Sequence, residues 1–274
     1  MNDTKGGKMK ERLDKILVEH GFFETKSKAQ AAIMAGDVRV DGVKITKAGF
    51  LLKFDENPQI EVKTMPFVSR GGFKLDKAVR AFEIDLRGVI CLDAGASTGG
   101  FTDCMLQNGA EKVYAVDVGY GQLAWKLRSD ARVKTVERTN IKNCPPEAIY
   151  AENDVLPSFC ATDLSFISIK KVLPNLRRLV RPENIELVTL IKPQFEAGRE
   201  DVGKNGVVRD KKVHLKVIRD ILDFAEGEGL IPLNLTVSPI KGPAGNIEYL
   251  GYFSDKPDKK VDFDPEEIVK SVDL

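Results

Sequence analysis

Three ionisable residues sit where a folded chain could use them for chemistry. Asp163 directly follows Phe159-Cys160-Ala161-Thr162, and Lys192 directly follows Leu187-Val188-Thr189-Leu190-Ile191. Both preceding runs read as strands, and open α/β sheets bind ligands beyond the carboxyl ends of their strands. Glu248 lies in a further strand-like run, Asn246-Ile247-Glu248-Tyr249. A lysine at the end of a largely apolar strand is not an ordinary solvated lysine. Burial and a neighbouring cation both lower a lysine's pKa and suit it to act as a base. Lys74 is a candidate for that second cation, with Asp163 and Glu248 orienting the pair. Taken singly, each of the four is an ordinary surface or salt-bridge residue, so the weight rests on their combination with a glycine-rich loop.

That loop is Leu92-Asp93-Ala94-Gly95-Ala96-Ser97-Thr98-Gly99-Gly100-Phe101, set between a strand and a helix. This is the nucleotide position of a doubly wound sheet. It has neither G-x-G-x-x-G nor the Gly-Lys-Ser/Thr of a P-loop. Asp93 closes the strand, where its charge would oppose a pyrophosphate. S-adenosylmethionine, with a sulfonium and an ammonium, suits an acidic, Gly-lined turn better, and glycine lets the backbone approach. Asp117 ends the next strand in Val113-Tyr114-Ala115-Val116-Asp117, 24 residues beyond Asp93, where a ribose-binding carboxylate belongs in such folds.

The elements that must position these groups follow from periodicity. Strand-like runs recur at Val89–Leu92, Val113–Val116, Val133–Val136, Phe159–Thr162 and Glu186–Ile191, with helical patterns between most of them. Ile169–Leu179 is one helix, which Pro174 either kinks or starts, and Val213–Ala225 is another. This alternation predicts βαβ units around a mostly parallel sheet, an α/β class. Leu233–Val237 and Ile247–Phe253 then form an antiparallel hairpin with a long loop. Before the sheet, Leu75, Ala78, Val79 and Phe82 mark one face of a helix, with Lys74 beside the stripe.

Residues 9–64 read as a small α+β module. Leu13, Ile16 and Leu17 lie at helical spacing with Gly21 as a stop, and a second helix runs from Ser27, a candidate N-cap, to Gly36. Val38-Arg39-Val40-Asp41-Gly42-Val43-Lys44-Ile45 carries the Asp-Gly signal of a hairpin, and Ile60-Glu61-Val62 reads as a further strand. Residues 65–72 are the expected linker, 73–254 the larger domain, and 255–274 a loose, charged tail. No repeat or low-complexity tract stands out.

The 274 residues suffice for one large or two modest domains, and 42% apolar residues are enough for a core. The net charge is only +1, so the crude sign of a nucleic-acid binder is missing. Residues 1–64 carry +2 and residues 65–274 carry −1. No apolar run approaches the ~18 residues of a membrane-spanning helix, and Met1 to Lys10 is too polar for a secretory signal. Four scattered cysteines and two lone histidines indicate reduced thiols in a cytoplasmic protein and no metal site. Acid–base chemistry then falls to Lys, Asp or Glu.

The stretch Asp93-Ala94-Gly95-Ala96-Ser97-Thr98-Gly99-Gly100-Phe101-Thr102-Asp103 resembles the cofactor loop of the FtsJ-like ribose methyltransferases. Lys74, Asp163, Lys192 and Glu248 follow the order of that family's K-D-K-E tetrad. Val68-Ser69-Arg70-Gly71-Gly72-Phe73-Lys74-Leu75, Ile191-Lys192-Pro193-Gln194-Phe195-Glu196 and Gly242-Pro243-Ala244-Gly245-Asn246-Ile247-Glu248 resemble its TlyA branch, often labelled haemolysin. The resemblance covers about residues 9–253. It implies a Rossmann-like class I methyltransferase sheet, S-adenosyl-L-methionine as cofactor, and 2′-O-methylation of cytidine in ribosomal RNA or ribosomal subunits. Asp93, Gly95, Ser97, Thr98, Gly99, Gly100, Phe101 and Asp117 would bind the cofactor. Lys192 would accept or direct the hydroxyl proton, Lys74 and Glu248 would hold the hydroxyl, and Asp163 would orient Lys192.

The N-terminal module resembles the RNA-binding domain named after ribosomal small-subunit protein four, on Arg12-Leu13-Asp14-Lys15-Ile16-Leu17, Ser27-Lys28 and Gly36-Asp37-Val38-Arg39-Val40-Asp41-Gly42. The resemblance implies an RNA-contacting patch of Arg12, Lys26, Ser27, Lys28 and Arg39. Many members of that family carry Arg where Lys28 stands, and Lys keeps the charge without the bidentate fork. The alternatives are a base C5-methyltransferase using Cys160, an exocyclic-amine methyltransferase, and an RNA-binding or membrane-active protein without catalysis. The second would want an Asn/Asp-Pro-Pro-aromatic turn where Asp163-Leu164-Ser165-Phe166 stands.

Overall fold

The computed structural model describes residues 10–20, 22–23, 25–53, 58–63, 66–242 and 244–273. Gly21 and Pro243, and the expected domain bounds at residues 9, 64 and 65, lie outside the described residues. The chain divides into two compact units, Met1–Pro66 and Phe67–Leu274.

In the first unit, strand β1 (Lys10–Arg12) leads into helix α1 (Leu13–Glu19), followed by α2 (Lys26–Ala35) and strands β2 (Val38–Val40), β3 (Val43–Ile45), β4 (Leu51–Lys53) and β5 (Ile60–Val62). The expected hairpin forms between β2 and β3, and Asp41 (φ 48°) and Gly42 (φ 75°) take the left-handed turn that matches strand twist. β5 adds to β2, while β1 pairs with β4, two short strands with no alternating signal. Gly36 closes α2 in the left-handed conformation, but the N-cap is Thr25 rather than Ser27. The Thr25 side chain accepts from the Lys28 amide, and Ser27 lies inside the first turn. Leu13, Ile16, Leu17, Ala29, Ile33, Val38 and Val40 form the core of this unit.

The second unit opens with α3 (Gly71–Ala81) and continues through β6 (Ile90–Ala94), α4 (Gly100–Gln107), β7 (Lys112–Val116), α5 (Trp125–Arg128), β8 (Val133–Val136) and β9 (Phe159–Thr162). It then runs through α6 (Leu173–Leu179), β10 (Glu186–Ile191), α7 (Pro193–Glu196), α8 (Lys211–Gly227), β11 (Ile231–Val237), β12 (Tyr249–Ser254) and α9 (Pro265–Lys270). Seven strands form one sheet in the order β11-β12-β10-β9-β6-β7-β8, and only β12 runs against the rest. Strand residues alternate between two cores. Val113 and Ala115 pack towards α3 and α4, while Tyr114 and Val116 pack towards α6 and α8. A sheet covered on both faces needs apolar residues on both, which is why its strands read as continuous apolar runs.

Residues 67–72 fold with this unit rather than standing apart as a linker. Phe67 packs edge-on against Phe73, and the Val68 amide donates to Asp103 at 2.8 Å. Pro174 starts α6 after a 3-10 turn over Ile169–Lys171, so it marks a helix start and not a kink. The segment after Ser254 is not a loose tail. Asp264 caps α9, which packs on α8, and Val269 and Val272 are buried in the same core. No helix among the described residues is long and apolar enough to cross a membrane.

Burial of Val269 predicts that Val269→Ala lowers stability by about 2 kcal/mol. Urea denaturation measures it, and a loss within ±0.5 kcal/mol, ordinary for surface positions, would mean that α9 contributes nothing to the core.

Candidate active site

The chain crosses from β8 back to β9, so the sheet changes direction of growth between β6 and β9, its topological switch point. Ala94 of β6 is in register with Thr162 of β9, which sets the glycine loop beside Asp163. Ile191 of β10 is in register with Tyr249 of β12, which sets Lys192 opposite Glu248. Glu248 therefore precedes β12 instead of lying within it. α3 crosses above and delivers Lys74.

The four side chains meet. Asp163 Oδ1 lies 2.5 Å from Lys192 Nζ, and its Oδ2 accepts from Lys74 Nζ at 3.1 Å. Lys74 also donates to Glu248 Oε2 at 2.8 Å. Side-chain exposures are 11% for Lys74, 21% for Asp163, 7% for Lys192 and 2% for Glu248, so two ammonium groups are compensated by two carboxylates away from bulk water. Lys192 further donates to Ser165 Oγ at 3.2 Å, and Gln194 donates to Glu248 Oε1 at 3.2 Å. Burial opposes the charge of Lys74, but Asp163 and Glu248 outweigh it and hold Lys74 above the ordinary lysine value. Burial likewise opposes the charge of Asp163, and Lys192 and Lys74 hold its carboxyl below the ordinary range. Two lysines are thus separated by a carboxylate rather than pressed against each other.

A cavity of about 490 Å³ opens over the tetrad, within the range of small-molecule sites. Gly95, Ser97, Thr98, Gly100 and Phe101 line it. The loop needs its glycines. Gly99 has φ 95°, and a Cβ on Gly100 would lie 2.7 Å from the Gly72 backbone nitrogen, so α4 and α3 could not approach as they do. The walls the sequence reading missed include Ser69, Arg70, Ser165, Phe166, Gln194, Phe195, Ile240 and Lys241. Most lie within or next to the motif segments quoted above, but no local pattern tells which side chains turn inward. Phe166 is 90% exposed with φ 64°, against Phe195 at 5.1 Å between ring centroids. A bulky residue in that backbone region is strained.

Asp93, Gly99 and Asp117 do not line the cavity. Asp93 is fully buried inside β6, and its Oδ2 accepts from the Thr102 amide at 2.9 Å and the Thr102 hydroxyl at 2.6 Å, which fastens the first turn of α4. Its Oδ1 has no hydrogen-bond partner among the described residues. Asp117 accepts from the Ser97 amide at 2.8 Å and the Gly119 amide at 2.6 Å, so it shapes the loop, where Ser97 has φ 49°. Both acids hold the cradle in shape. A cradle whose glycines let the backbone come close leaves room for an adenosyl cofactor such as S-adenosylmethionine.

Cys160 is buried among Leu173, Leu176 and Leu187, and burial pushes its thiol up, so it offers no thiolate to a base. Among the described residues no group of three or more His, Cys, Asp or Glu side chains could hold a metal ion. In the first unit, Arg12 forms a two-point pair with Asp14 at 3.0 and 2.6 Å, and Gln30 donates to the same carboxylate at 2.6 Å. Arg12, with Lys26 behind it, holds the Asp14 carboxyl down to about 2. Lys26, Ser27 and Lys28 are exposed on the first turn of α2, and Arg39 is held at the β2–β3 turn by the Gly42 carbonyl.

A doubly wound sheet with a glycine cradle and a Lys-Asp-Lys-Glu cluster at its switch point defines a methyltransferase of the class I type. Residues 67–254 match the family model described as FtsJ-like methyltransferase, and residues 11–57 match the S4 domain. The chain belongs to the FtsJ-like methyltransferase family and carries an N-terminal S4 domain. It is 51% identical over 243 residues to YqxC of Bacillus subtilis, covering 88% of this chain and 84% of that one. It is 41% identical over 251 residues to TlyA of Mycobacterium tuberculosis, a protein named as a 16S/23S rRNA (cytidine-2′-O)-methyltransferase, covering 90% and 91%. A solved Streptococcus thermophilus structure carrying a hemolysin label is 40% identical, with a TM-score of 0.71 and 96% of both chains covered.

Burial pushes the Asp93 carboxyl up to about 7 from 3.8, against the two Thr102 bonds. A carboxyl raised on folding contributes stability that is fully present below pH 4 and lost as pH rises through 7. Asp93→Asn keeps an acceptor for Thr102 and removes this loss. Its stability relative to the unsubstituted protein should rise by roughly 2–4 kcal/mol between pH 4 and pH 8. Chemical denaturation across that range is the measurement, and parallel profiles would refute the assignment.

Proposed function

We propose that this protein transfers a methyl group from S-adenosylmethionine to the 2′-hydroxyl of cytidine in ribosomal RNA. The observation that carries the reading is Asp163 bridging Lys74 and Lys192 beside the glycine cradle. When bound, S-adenosylmethionine supplies a methyl group already activated on a sulfonium. The residues of the chain must then hold a ribose hydroxyl and take its proton, because the hydroxyl is a poor nucleophile at neutral pH. Lys74, kept charged by Asp163 and Glu248, orients the hydroxyl together with Glu248. Lys74 bridges Asp163 and Glu248, whereas Lys192 pairs with Asp163 and lines the cavity, so Lys192 is the residue that accepts or directs the hydroxyl's proton. Asp163 and Ser165 aim Lys192, and Gln194 steadies Glu248.

The cradle of Gly95, Ser97, Thr98, Gly100 and Phe101, shaped from behind by Asp93 and Asp117, holds the cofactor. A 2′-hydroxyl target means RNA rather than DNA. Phe166, exposed and aromatic at the rim, offers a face on which a base turned out of its helix can stack. The S4 domain adds backbone contacts through Arg12, Lys26, Ser27, Lys28 and Arg39. With a net charge of only +1, recognition rests on this local patch and on the shape of a folded RNA. A ribosomal substrate places the protein in the cytoplasm.

Lys192→Ala should lower methyl transfer roughly 10²–10⁴-fold while S-adenosylmethionine still raises the melting temperature. Mass spectrometry of ribosomal RNA before and after alkaline hydrolysis reads the product, since a 2′-O-methyl group protects its own linkage. Full methylation by Lys192→Ala would remove Lys192 from its role, and an alkali-sensitive product would move the target from ribose to base.

A further inference from the structure

Two segments with little regular structure contribute to the site. Asp163, Ser165 and Phe166 come from the loop after β9, whereas Lys192, Gln194 and Phe195 come from the end of β10 and the short α7. Glu196, the last residue of α7, joins the two. Its Oε1 accepts from the Ile169 amide at 2.7 Å, and its Oε2 accepts from the Ser168 hydroxyl at 2.5 Å. The Ser168 hydroxyl also accepts from the Lys170 amide at 3.2 Å, so one oxygen closes the 3-10 turn and reaches Glu196.

We propose that Glu196 is a positioning residue for methyl transfer, a latch that keeps the β9 loop in register with the β10 loop so that Asp163 and Lys192 stay in contact. The inference rests on the methyltransferase reading of the cavity. Glu196 lies outside the cavity lining, so its effect must pass through the loops it joins. The β9 loop has a reason to move. Phe166 sits in the left-handed region, and such strain persists only where the surroundings over-determine it. The contacts of Lys192 with Asp163 at 2.5 Å and Ser165 at 3.2 Å span the same two loops as the latch. A shift of about 1 Å between those loops is enough to cost two orders of magnitude in rate. Burial raises the Glu196 carboxyl, and the bonds from Ser168 and Ile169, with Lys170 and Lys171 nearby, pull it back. The desolvated carboxylate thus depends on the turn it holds.

The test uses the full chain with Glu196→Ala, Glu196→Gln and Ser168→Ala. The glutamine side chain keeps both partners, because its oxygen accepts from Ile169 and its NH₂ group donates to the Ser168 oxygen. Glu196→Ala should lower kcat roughly 10–100-fold, with KM for RNA and Kd for S-adenosylmethionine changed by less than about threefold. Ser168→Ala should fall between, and Glu196→Gln should recover most of the rate. Hydrogen exchange should quicken at Ile169 and the neighbouring loop amides in the alanine variant, with β6, β9 and β10 as protected as before. An unchanged kcat, a glutamine variant as poor as alanine, or loss of protection throughout the sheet would each overturn the latch. If the unsubstituted protein transfers no methyl group to RNA, the functional reading fails on its own, and exchange at Ile169 still decides whether the latch exists.

Discussion

One carboxylate shared between two lysines governs the second unit. Asp163 gives one oxygen to Lys192 and the other to Lys74, and Glu248 completes the charge balance. Charges withdrawn from water are strongly unfavourable unless paired with good geometry, so none of the four can be placed independently. Three of them stand at the ends of adjacent strands, where register places them. The fourth arrives on a helix that must approach the glycine loop closely, and this approach is why Gly100 cannot carry a side chain.

Around that cluster, acidic side chains hold the backbone of the loops. Asp93 fastens the first turn of α4, Asp117 holds the amides of Ser97 and Gly119, and Glu196 holds Ser168 and Ile169. Each carboxylate satisfies donors that an irregular loop leaves without a ladder partner. These three acids lie outside the cavity lining and keep the loops that form it in shape. The S4 unit repeats the pattern on a smaller scale, with Asp14 tying Arg12 and Gln30 together.

Much of the fold was legible in the chain. Apolar runs located β7 through β10 and the β11–β12 hairpin, Gly36 marked the end of α2, and Asp41-Gly42 marked the β2–β3 turn. The misses have physical causes. β1 and β4 are three residues long and held by pairing across the unit, so no local pattern announces them. Thr25 and Ser27 are both good caps, and only the entry angle of the chain selects between them. The segment after Ser254 is mostly charged, yet two valines at helical spacing suffice to dock α9 on α8.

For the site, the sequence alone determined which residue types stand at strand ends: an acid after β9, a lysine after β10, a glycine loop after β6. Those are consequences of local preference, since strand and helix periodicities are set over a few neighbouring residues. Tertiary structure decided which of those groups touch. Lys74 meets Asp163 across 89 residues and Glu248 across 174, contacts created by register and helix placement. It also decided that Asp93 and Asp117 serve the loop from behind rather than line the cavity. Side-chain direction in a packed structure is fixed by what lies on each side of the backbone, and that is known only once the sheet has assembled.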